Sequence, residues 1–285
     1  MSFHQQPITF VKHVNIKVQN LERSLQYYQE VIGLKILEQT TNRAKLTADG
    51  QTSILSVEQP EDAIPKQRGT TGLYHFALLV PERSDLADIV NHFIKKGIRI
   101  GSSDHLVSEA LYLNDPDGNG IEVYVDRDPA EWEWKNDEVA MTVDPLDFTD
   151  LLKTADTDKT WDGLPAGTIM GHIHLHVSQL EEAKEFYTKG LGFKVVNRFG
   201  DQALFISSGD YHHHIGLNTW TGVGVPAPPE NSVGLESYTI ILPDHEYRKN
   251  VVADLEKMGA PVKEDKGVFI TSDPSGNRIQ LDVDE

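Results

Sequence analysis

The chain has 285 residues, of which 39% are hydrophobic and 25% are charged, which is the composition of a globular protein with room for one large or two medium domains. Its formal net charge of −18 argues against nucleic acid as a partner, because phosphate binding requires a positive surface. The sequence contains no cysteine, no apolar run long enough to span a membrane and no secretory signal pattern at its start. We therefore expect a cytoplasmic protein that does not associate with membranes.

An internal repeat organises the chain. The segment "HVNIKVQNLERSLQYYQEVIGLKIL" (His13–Leu37) returns as "HIHLHVSQLEEAKEFYTKGLGFKVV" (His172–Val196). A fainter repeat relates "DPDGNGIEVYVD" (Asp115–Asp126) to "DPSGNRIQLDVD" (Asp273–Asp284). Because self-similarity of this kind dictates architecture, the chain is predicted to contain four copies of a unit of roughly fifty residues.

Each copy is predicted to form a strand, a helix and three further strands. In the first copy, residues 11–18 alternate as a strand, residues 21–32 have helical apolar spacing, and Gly33 follows as a helix C-cap. The four predicted βαβββ modules span 8–57, 73–126, 169–218 and 235–285; in chain order they fall into the pairs 8–126 and 169–285, joined by a linker arm at 127–168. The predicted fold class is α+β, with two half-barrel domains that carry helices on the convex face and a cavity on the concave face. The arm is too long for a bare loop, so we expect it to pack along the module interface with some helix.

Strand alternation predicts which side chains face the cavity, because alternate residues of a strand point to opposite sides of the sheet. Apolar residues are assigned to the helix-covered side, and the polar residues between them to the cavity. The residues predicted to face the cavity are His75, Glu122, Tyr124, His172, His174, His176, His212 and His214. His213 is predicted to point away.

Two imidazoles and one carboxylate on one side of a metal ion leave the opposite positions open for substrate and dioxygen, an arrangement suited to Fe(II). The second module supplies His75 and Glu122. The fourth module has Ser237 and Gln280 at the corresponding positions, so only the second can anchor a metal. The remaining histidine would come from the first strand of a neighbouring module.

The chain resembles the vicinal oxygen chelate superfamily (glyoxalase, bleomycin resistance and dioxygenase proteins) and, within it, the type I extradiol catechol 2,3-dioxygenases. The superfamily resemblance covers all four modules, and "GLYHFALLVP", "SEALYLNDPDGNGIEVY", "MGHIHLHV" and "YHHHIGLN" are most similar to the extradiol enzymes. The resemblance implies Fe(II)-dependent extradiol cleavage of a catechol by dioxygen to a muconic semialdehyde. A small aromatic diol and dioxygen are the implied substrates, and Mn(II) or Zn(II) are alternative metals.

The resemblance also assigns roles to residues of this chain. It implies that His75 and Glu122 are metal ligands and that Tyr112, ten positions before Glu122, contacts the substrate. An acid–base histidine is implied in "HHHIGL", where alternation favours His214 over His213. His105 is expected to point into the same pocket.

Two module pairings remain open at this stage. If modules one and two pair, the third ligand is His13, but Ser53 then stands where the acid–base histidine should be. If modules two and three pair, the third ligand is His172 and His214 and Tyr112 are both in place, so we prefer this pairing, which is similar to that of hydroquinone dioxygenases.

Two other functions are also compatible with the superfamily resemblance. One is a glyoxalase-type metal isomerase or lyase, and the other is a metal-free small-molecule binding protein of the resistance type. The edges of the half-barrels and the aromatic arm lead us to expect a homo-oligomer.

Overall fold

The computed structural model describes residues 3–156 and 160–284, so residues 157–159 of the predicted arm and residue 285 of the fourth module lie outside the described residues. Each of the four modules contains a strand, a helix and three strands in that order. The strands of modules one and two are β1 (Phe10–Lys17), β2 (Lys35–Gln39), β3 (Arg43–Thr47), β4 (Ser53–Glu58), β5 (Gly72–Leu79), β6 (Gly101–Asp104), β7 (Ser108–Asn114) and β8 (Gly120–Asp126). Short strands β9 (Trp134–Lys135) and β10 (Glu138–Val139) form a hairpin in the arm. The strands of modules three and four are β11 (Ile169–His176), β12 (Lys194–Phe199), β13 (Ala203–Ser207), β14 (Ile215–Asn218), β15 (Gly234–Ile241), β16 (Val262–Asp265), β17 (Val268–Ser272) and β18 (Arg278–Asp282).

The helices are short, and two of them end in a π-helical turn. They are α1 (Leu21–Tyr27, with a π-turn at Tyr28–Ile32), α2 (Arg83–Lys96), α3 (Phe148–Leu151), α4 (Leu180–Glu185, with a π-turn at Phe186–Gly190) and α5 (His245–Lys257). Single 3-10 turns lie at Pro129–Glu131 and Leu152–Thr154. None of the helices in the described ranges is both long enough and apolar enough to cross a membrane.

The four modules form two eight-stranded sheets. Neither sheet joins module one to module two, or module three to module four. One sheet has the order β16-β17-β18-β15-β1-β4-β3-β2 and unites modules four and one. The other has the order β12-β13-β14-β11-β5-β8-β7-β6 and unites modules three and two. The first strands of the paired modules run antiparallel at the centre of each sheet. The predicted α+β fold of βαβββ half-barrels is confirmed, and the crossed pairing is the one that the structure adopts.

Two hydrogen bonds tie the sheets together through the π-turns. The hydroxyl of Tyr28 donates to Asp115 Oδ2 over 3.0 Å, and the hydroxyl of Tyr187 donates to Asp273 Oδ2 over the same distance. Each aspartate opens the repeated "DP-x-GN" turn, and its other oxygen accepts from backbone amides within that turn. The sheets therefore connect modules one with four and two with three, while the tyrosines connect one with two and three with four.

The hydrophobic core lies between the sheets and their helices. Val14 and Ile16 of β1 and Phe76 and Leu78 of β5 are fully buried on the helix-covered side, as the alternation predicts. Burial of this apolar surface is the main stabilising contribution, at roughly 25 cal/mol per Å2 removed from water. The polar residues that alternate with the core are thereby directed to the concave faces.

The arm crosses the concave face of the sheet formed by modules two and three. Trp132 packs with Val139 and Tyr211 in a small hydrophobic cluster. Asn197 on β12 donates its side-chain amide to the carbonyl of Val139 over 2.6 Å. The arm thus covers one side of the cavity described below.

Candidate metal centre and active site

His75, Glu122 and His172 meet above the centre of the sheet that joins modules two and three. His172 on β11 lies opposite Ala77 on β5, and Ala77 lies beside Glu122 on β8. Because the methyl group of Ala77 is short, the two longer side chains can converge over it. His75, two residues earlier on β5, projects from the same face.

The donor atoms of these three residues are close enough to share one ion. Oε2 of Glu122 lies 2.9 Å from Nε2 of His75 and 3.1 Å from Nε2 of His172. Within the described part of the chain, this is the one set of three such residues whose donor atoms all lie within 4.8 Å of one another. All three side chains are buried.

Nε2 of His172 hydrogen-bonds Oε2 of Glu122 over 3.1 Å, but hydrogen bonds among the three side chains leave Nε2 of His75 unsatisfied, which a cation would engage. Nε2 of His75 is buried and close to Glu122, but it lacks a hydrogen bond of acceptable angle. Buried polar atoms without a partner are rare in folded proteins and call for an explanation such as an ion. Two imidazoles and one carboxylate oxygen are also a donor set that Fe(II) and other divalent transition metals accept.

The electrostatics favour the metal-binding forms of Glu122 and His172. Burial opposes ionisation of Glu122, but the neighbouring His172 and His75 hold its pKa well below the usual range. Burial lowers the pKa of His172, although Glu122 opposes that shift. A carboxylate and neutral imidazoles are the protonation states that coordinate a metal ion.

His75 and Glu122, with His172 beside them, border a cavity of about 410 Å3. Its wall combines aromatic side chains of both modules with residues of the arm, among them Tyr74, Tyr112, Met141, Val143, Phe199, Phe205 and Trp220. Such a volume and a mostly apolar wall with a few convergent polar groups are typical of a small-molecule site.

Tyr112 and His105 both reach this cavity, as predicted. Nδ1 of His105 donates to the carbonyl of Thr142 in the arm over 2.6 Å, so in a ring with a single proton Nε2 accepts. The hydroxyl of Tyr112 therefore donates to Nε2 of His105 over 2.6 Å. Tyr112 in turn lies opposite Glu122 in the β7–β8 pairing.

The predicted orientations of His213 and His214 are wrong. His213 lines the cavity and its ring lies 4.1 Å from that of His172, centroid to centroid, whereas His214 points away and shares its Nδ1 with Ser207 and its Nε2 with the carbonyl of Phe3. Strand alternation does not apply to these two residues, because residues 208–214 form a turn and β14 begins only at Ile215.

His174 faces the cavity as predicted, although no role followed from the sequence. Its ring lies over Gly216 of the adjacent strand, where a side-chain carbon would come within 2.7 Å of His174 Cγ. Its Nε2 is buried without a hydrogen-bond partner. The sequence also gave no indication of the cavity positions of Phe205, Trp220 and the arm residues, because these depend on how distant segments pack.

His13, the alternative third ligand, lies in the other sheet. Its Nε2 is 3.1 Å from both Ser53 Oγ and Ser56 Oγ. Burial, with Arg43 as the next contribution, lowers the pKa of His13 to about 4. His13 therefore belongs to a polar cluster of module one, in the sheet of modules one and four, and is not near His75 or Glu122.

Acidification from pH 7 to pH 5 is expected to lower the free energy of unfolding by about 2 kcal/mol through His13. The imidazole has a pKa of 6.5 in the unfolded chain and about 4 in the folded protein, so unfolding takes up a proton between these values. The stabilising contribution is present above pH 6.5 and is lost as the pH falls towards 4. Urea unfolding at pH 7 and pH 5 checks this against His13→Asn, which should lose that part of the difference; an undiminished difference in the variant would contradict it.

Comparison with known proteins matches residues 11–123 and 169–281 to the model of the Glyoxalase/Bleomycin resistance protein/Dioxygenase superfamily. The chain belongs to this superfamily. The two matched segments each contain two modules in chain order, although the modules of one segment lie in different sheets.

The chain is also similar to individual members of the superfamily. It is 45% identical over 269 residues to "Catechol-2,3-dioxygenase" of Bacillus subtilis (strain 168), covering 93% of this chain and 94% of the relative. It is 27% identical over 153 residues to "Biphenyl-2,3-diol 1,2-dioxygenase 3" of Rhodococcus globerulus, covering 50% of this chain and 80% of the relative. These relatives confirm the resemblance to the extradiol dioxygenases, and the superfamily member described here is an enzyme of that class.

Two solved structures are similar to this chain in fold and support the architecture only. A crystal structure from Bacillus subtilis subsp. subtilis str. 168 superimposes with a TM-score of 0.67 at 15% identity, covering 98% of this chain and 86% of that chain. Glyoxalase I from Zea mays superimposes with a TM-score of 0.56 at 19% identity, covering 96% of this chain and 92% of that chain.

Proposed function

We propose that the enzyme cleaves the ring of a catechol or substituted catechol with dioxygen, next to the hydroxyl pair, and releases a muconic semialdehyde. In this proposal Fe(II) is held by His75, His172 and Glu122. The observation that carries it is the convergence of these three donors, within 4.8 Å, at the edge of an aromatic-walled cavity. The 45% identity to a catechol 2,3-dioxygenase over nearly the whole chain supports the same chemistry.

The donor set would bind the metal with one negative charge from the protein. Because His75 and His172 are neutral donors and Glu122 is the single carboxylate, a bound divalent ion retains a positive charge that attracts a phenolate. When bound, Fe(II) supplies a centre that lowers the pKa of a coordinated hydroxyl and brings the diol and dioxygen together.

Tyr112 would orient the diol. Its proton is committed to His105, so its oxygen presents lone pairs to the cavity and can accept a hydrogen bond from a substrate hydroxyl. Burial, and then the charge of Glu122, raise the pKa of Tyr112 well above its usual value, so the phenol keeps its proton. His105 and the arm carbonyl of Thr142 thus fix the direction of the Tyr112 hydroxyl.

His213 takes the acid–base role in place of His214. Burial, followed by the nearby His172, lowers the pKa of His213 well below its usual value, so the ring is neutral and can accept a proton. A neutral imidazole beside the proposed ligands can remove a hydroxyl proton from the substrate and return it later in the reaction. His214, buried behind the turn and bonded to Phe3, lacks access to the cavity.

The aromatic wall would hold the ring and exclude water. Tyr74, His174 and Trp220 lie edge to face or tilted against one another, with centroids 5.1 to 5.3 Å apart. Such walls favour offset or edge contacts with an aromatic ring.

Assembly into a homo-oligomer, a cytoplasmic location and the domain bounds stay predictions from the sequence.

Oxygen consumption on addition of catechol tests the proposal. Protein loaded anaerobically with Fe(II) should consume oxygen in a one-to-one ratio with catechol and form a yellow ring-fission product, whereas metal-free protein and protein loaded with Zn(II) should not. If protein loaded with Mn(II) is more active than protein loaded with Fe(II), the metal is Mn(II). Stoichiometric iron without oxygen consumption would overturn the proposal and favour the isomerase or the binding protein.

A further inference from the structure

A chain of hydrogen bonds runs from the cavity to the surface behind His213. Nδ1 of His213 lies 2.8 Å from Nδ1 of His212, and Nε2 of His212 lies 2.7 Å from Oδ1 of Asp126. The same carboxylate oxygen accepts the hydroxyl of Tyr211 over 3.2 Å. His212 is fully buried, while the side chain of Asp126 is 20% exposed. The metal centre and the cavity wall do not account for this chain.

The carboxylate of Asp126, at the end of this series of hydrogen bonds, determines the direction of each bond in it. A carboxylate only accepts, so His212 must donate its Nε2 proton to Asp126. A His212 ring that carries this single proton has a lone pair on Nδ1, and that nitrogen then accepts from His213. His213 therefore carries its proton on Nδ1, which leaves the lone pair on Nε2.

The neighbouring tyrosines reinforce the acceptor role of Asp126. Tyr211 gives its hydroxyl proton to the carboxylate, and the hydroxyl of Tyr124, 2.7 Å away, then donates to Tyr211. Tyr124 reaches this position because Gly171 has no side chain; a carbon there would come within 2.0 Å of the Tyr124 hydroxyl oxygen. Tyr124, Tyr211 and His212 thus all donate in the direction of Asp126. None of these three hydrogen bonds involves Nε2 of His213.

We propose that Asp126 and His212 are positioning residues that hold His213 in the tautomer whose Nε2 is unprotonated. The inference rests on the proposed acid–base role of His213, which requires a ring nitrogen able to accept a proton from the substrate. Without the carboxylate, His212 can take either tautomer, and His213 can then present an N–H group where a base is required. This arrangement resembles the use of a carboxylate to orient a catalytic imidazole, with a second imidazole placed between them.

The repeat provides a matched control for Asp126. Asp284 occupies the corresponding position of module four, at the end of "DPSGNRIQLDVD". Its carboxylate pairs with Lys12 over 2.5 Å near the surface and does not contact a histidine of the cavity. Asp284→Asn therefore makes the same chemical change at the equivalent place without touching the network.

Asp126→Asn should lower kcat for catechol by about 10²-fold or more, the typical contribution of a positioned acid–base group, with KM and iron content changed less than about twofold. Asp284→Asn should match the wild type. In the metal-free proteins, proton–nitrogen correlation spectra of the histidine rings should show His213 unprotonated at Nε2 in the wild type and in Asp284→Asn, and a population protonated at Nε2 in Asp126→Asn.

The tautomer and the rate together decide the proposal. Unchanged kcat in Asp126→Asn, a wild-type His213 protonated at Nε2, or a loss of kcat without any change of tautomer would each overturn it. If Asp126→Asn does not fold, the wild-type tautomer decides alone. A wild type that binds iron but does not consume oxygen with catechol would instead refute the proposed function, and the tautomer of the metal-free protein would still test the positioning role.

Discussion

Glu122→Gln is expected to release the metal and abolish ring cleavage. An amide oxygen is a weaker and uncharged donor, and the amide N–H group would face the two imidazoles that must share the ion. Loss of a group that only orients a ligand typically costs 10–100-fold in metal affinity, so loss of the charged ligand itself should cost more than about 10²-fold. The change should lower iron content and oxygen consumption in parallel, because the same atoms serve both.

Anaerobic titration with Fe(II), followed by oxygen consumption on catechol, measures this effect. Gln280→Ala is the matched control, because Gln280 occupies the position of Glu122 in module four and hydrogen-bonds there only to neighbouring side chains such as Ser237. The control should bind iron and react like the wild type. Full iron content in Glu122→Gln would show that the carboxylate is not a ligand.

The sheet of modules one and four shows what replaces a metal set in the equivalent place. Asn15 donates its amide to Ser237 over 2.9 Å, and Arg43 donates to the amide oxygen of Asn15 over 3.0 Å. Gln280 reaches the same serine over 3.3 Å. Asn15, Ser237 and Gln280 pair with one another, and the guanidinium of Arg43 already supplies a positive charge, so this place needs no metal ion to satisfy these groups.

Much of the fold and the proposed ligand set could be predicted because both depend on local periodicity and on repetition. Side-chain alternation correctly predicted that His75, Glu122 and His172 converge on one face of the sheet, although the β5–β11 pairing has register shifts on both sides of the segment from His172 to His174. The crossed pairing was favoured because it places His172, rather than His13, beside the residues of module two. The strand order of the sheet agrees with this pairing.

The orientation of His213 could not be predicted for a physical reason. Side-chain alternation is informative only where the backbone forms a regular strand. It fails in the turn before β14, where His213 rather than His214 faces the cavity. The network behind His213 also depends on a residue remote in sequence: Asp126, which hydrogen-bonds His212, is 86 residues from it. A network of this kind depends on tertiary packing and leaves no spacing pattern in the chain.

A comparison of His172→Ala with His13→Ala tests whether the metal lies between modules two and three. Both histidines occupy the same position of the repeat, so the two substitutions remove the same group from equivalent strands. His172→Ala deletes a proposed ligand 3.1 Å from Glu122, and the rate of oxygen consumption should fall by more than about 10²-fold. His13→Ala removes only hydrogen bonds to Ser53 and Ser56.

The measurement is iron content and oxygen consumption with catechol for both variants, after each has been shown to unfold cooperatively. His172→Ala should lose iron and activity, whereas His13→Ala should keep both. The reverse result, with iron and activity lost in His13→Ala and kept in His172→Ala, would contradict it and move the metal to modules one and two.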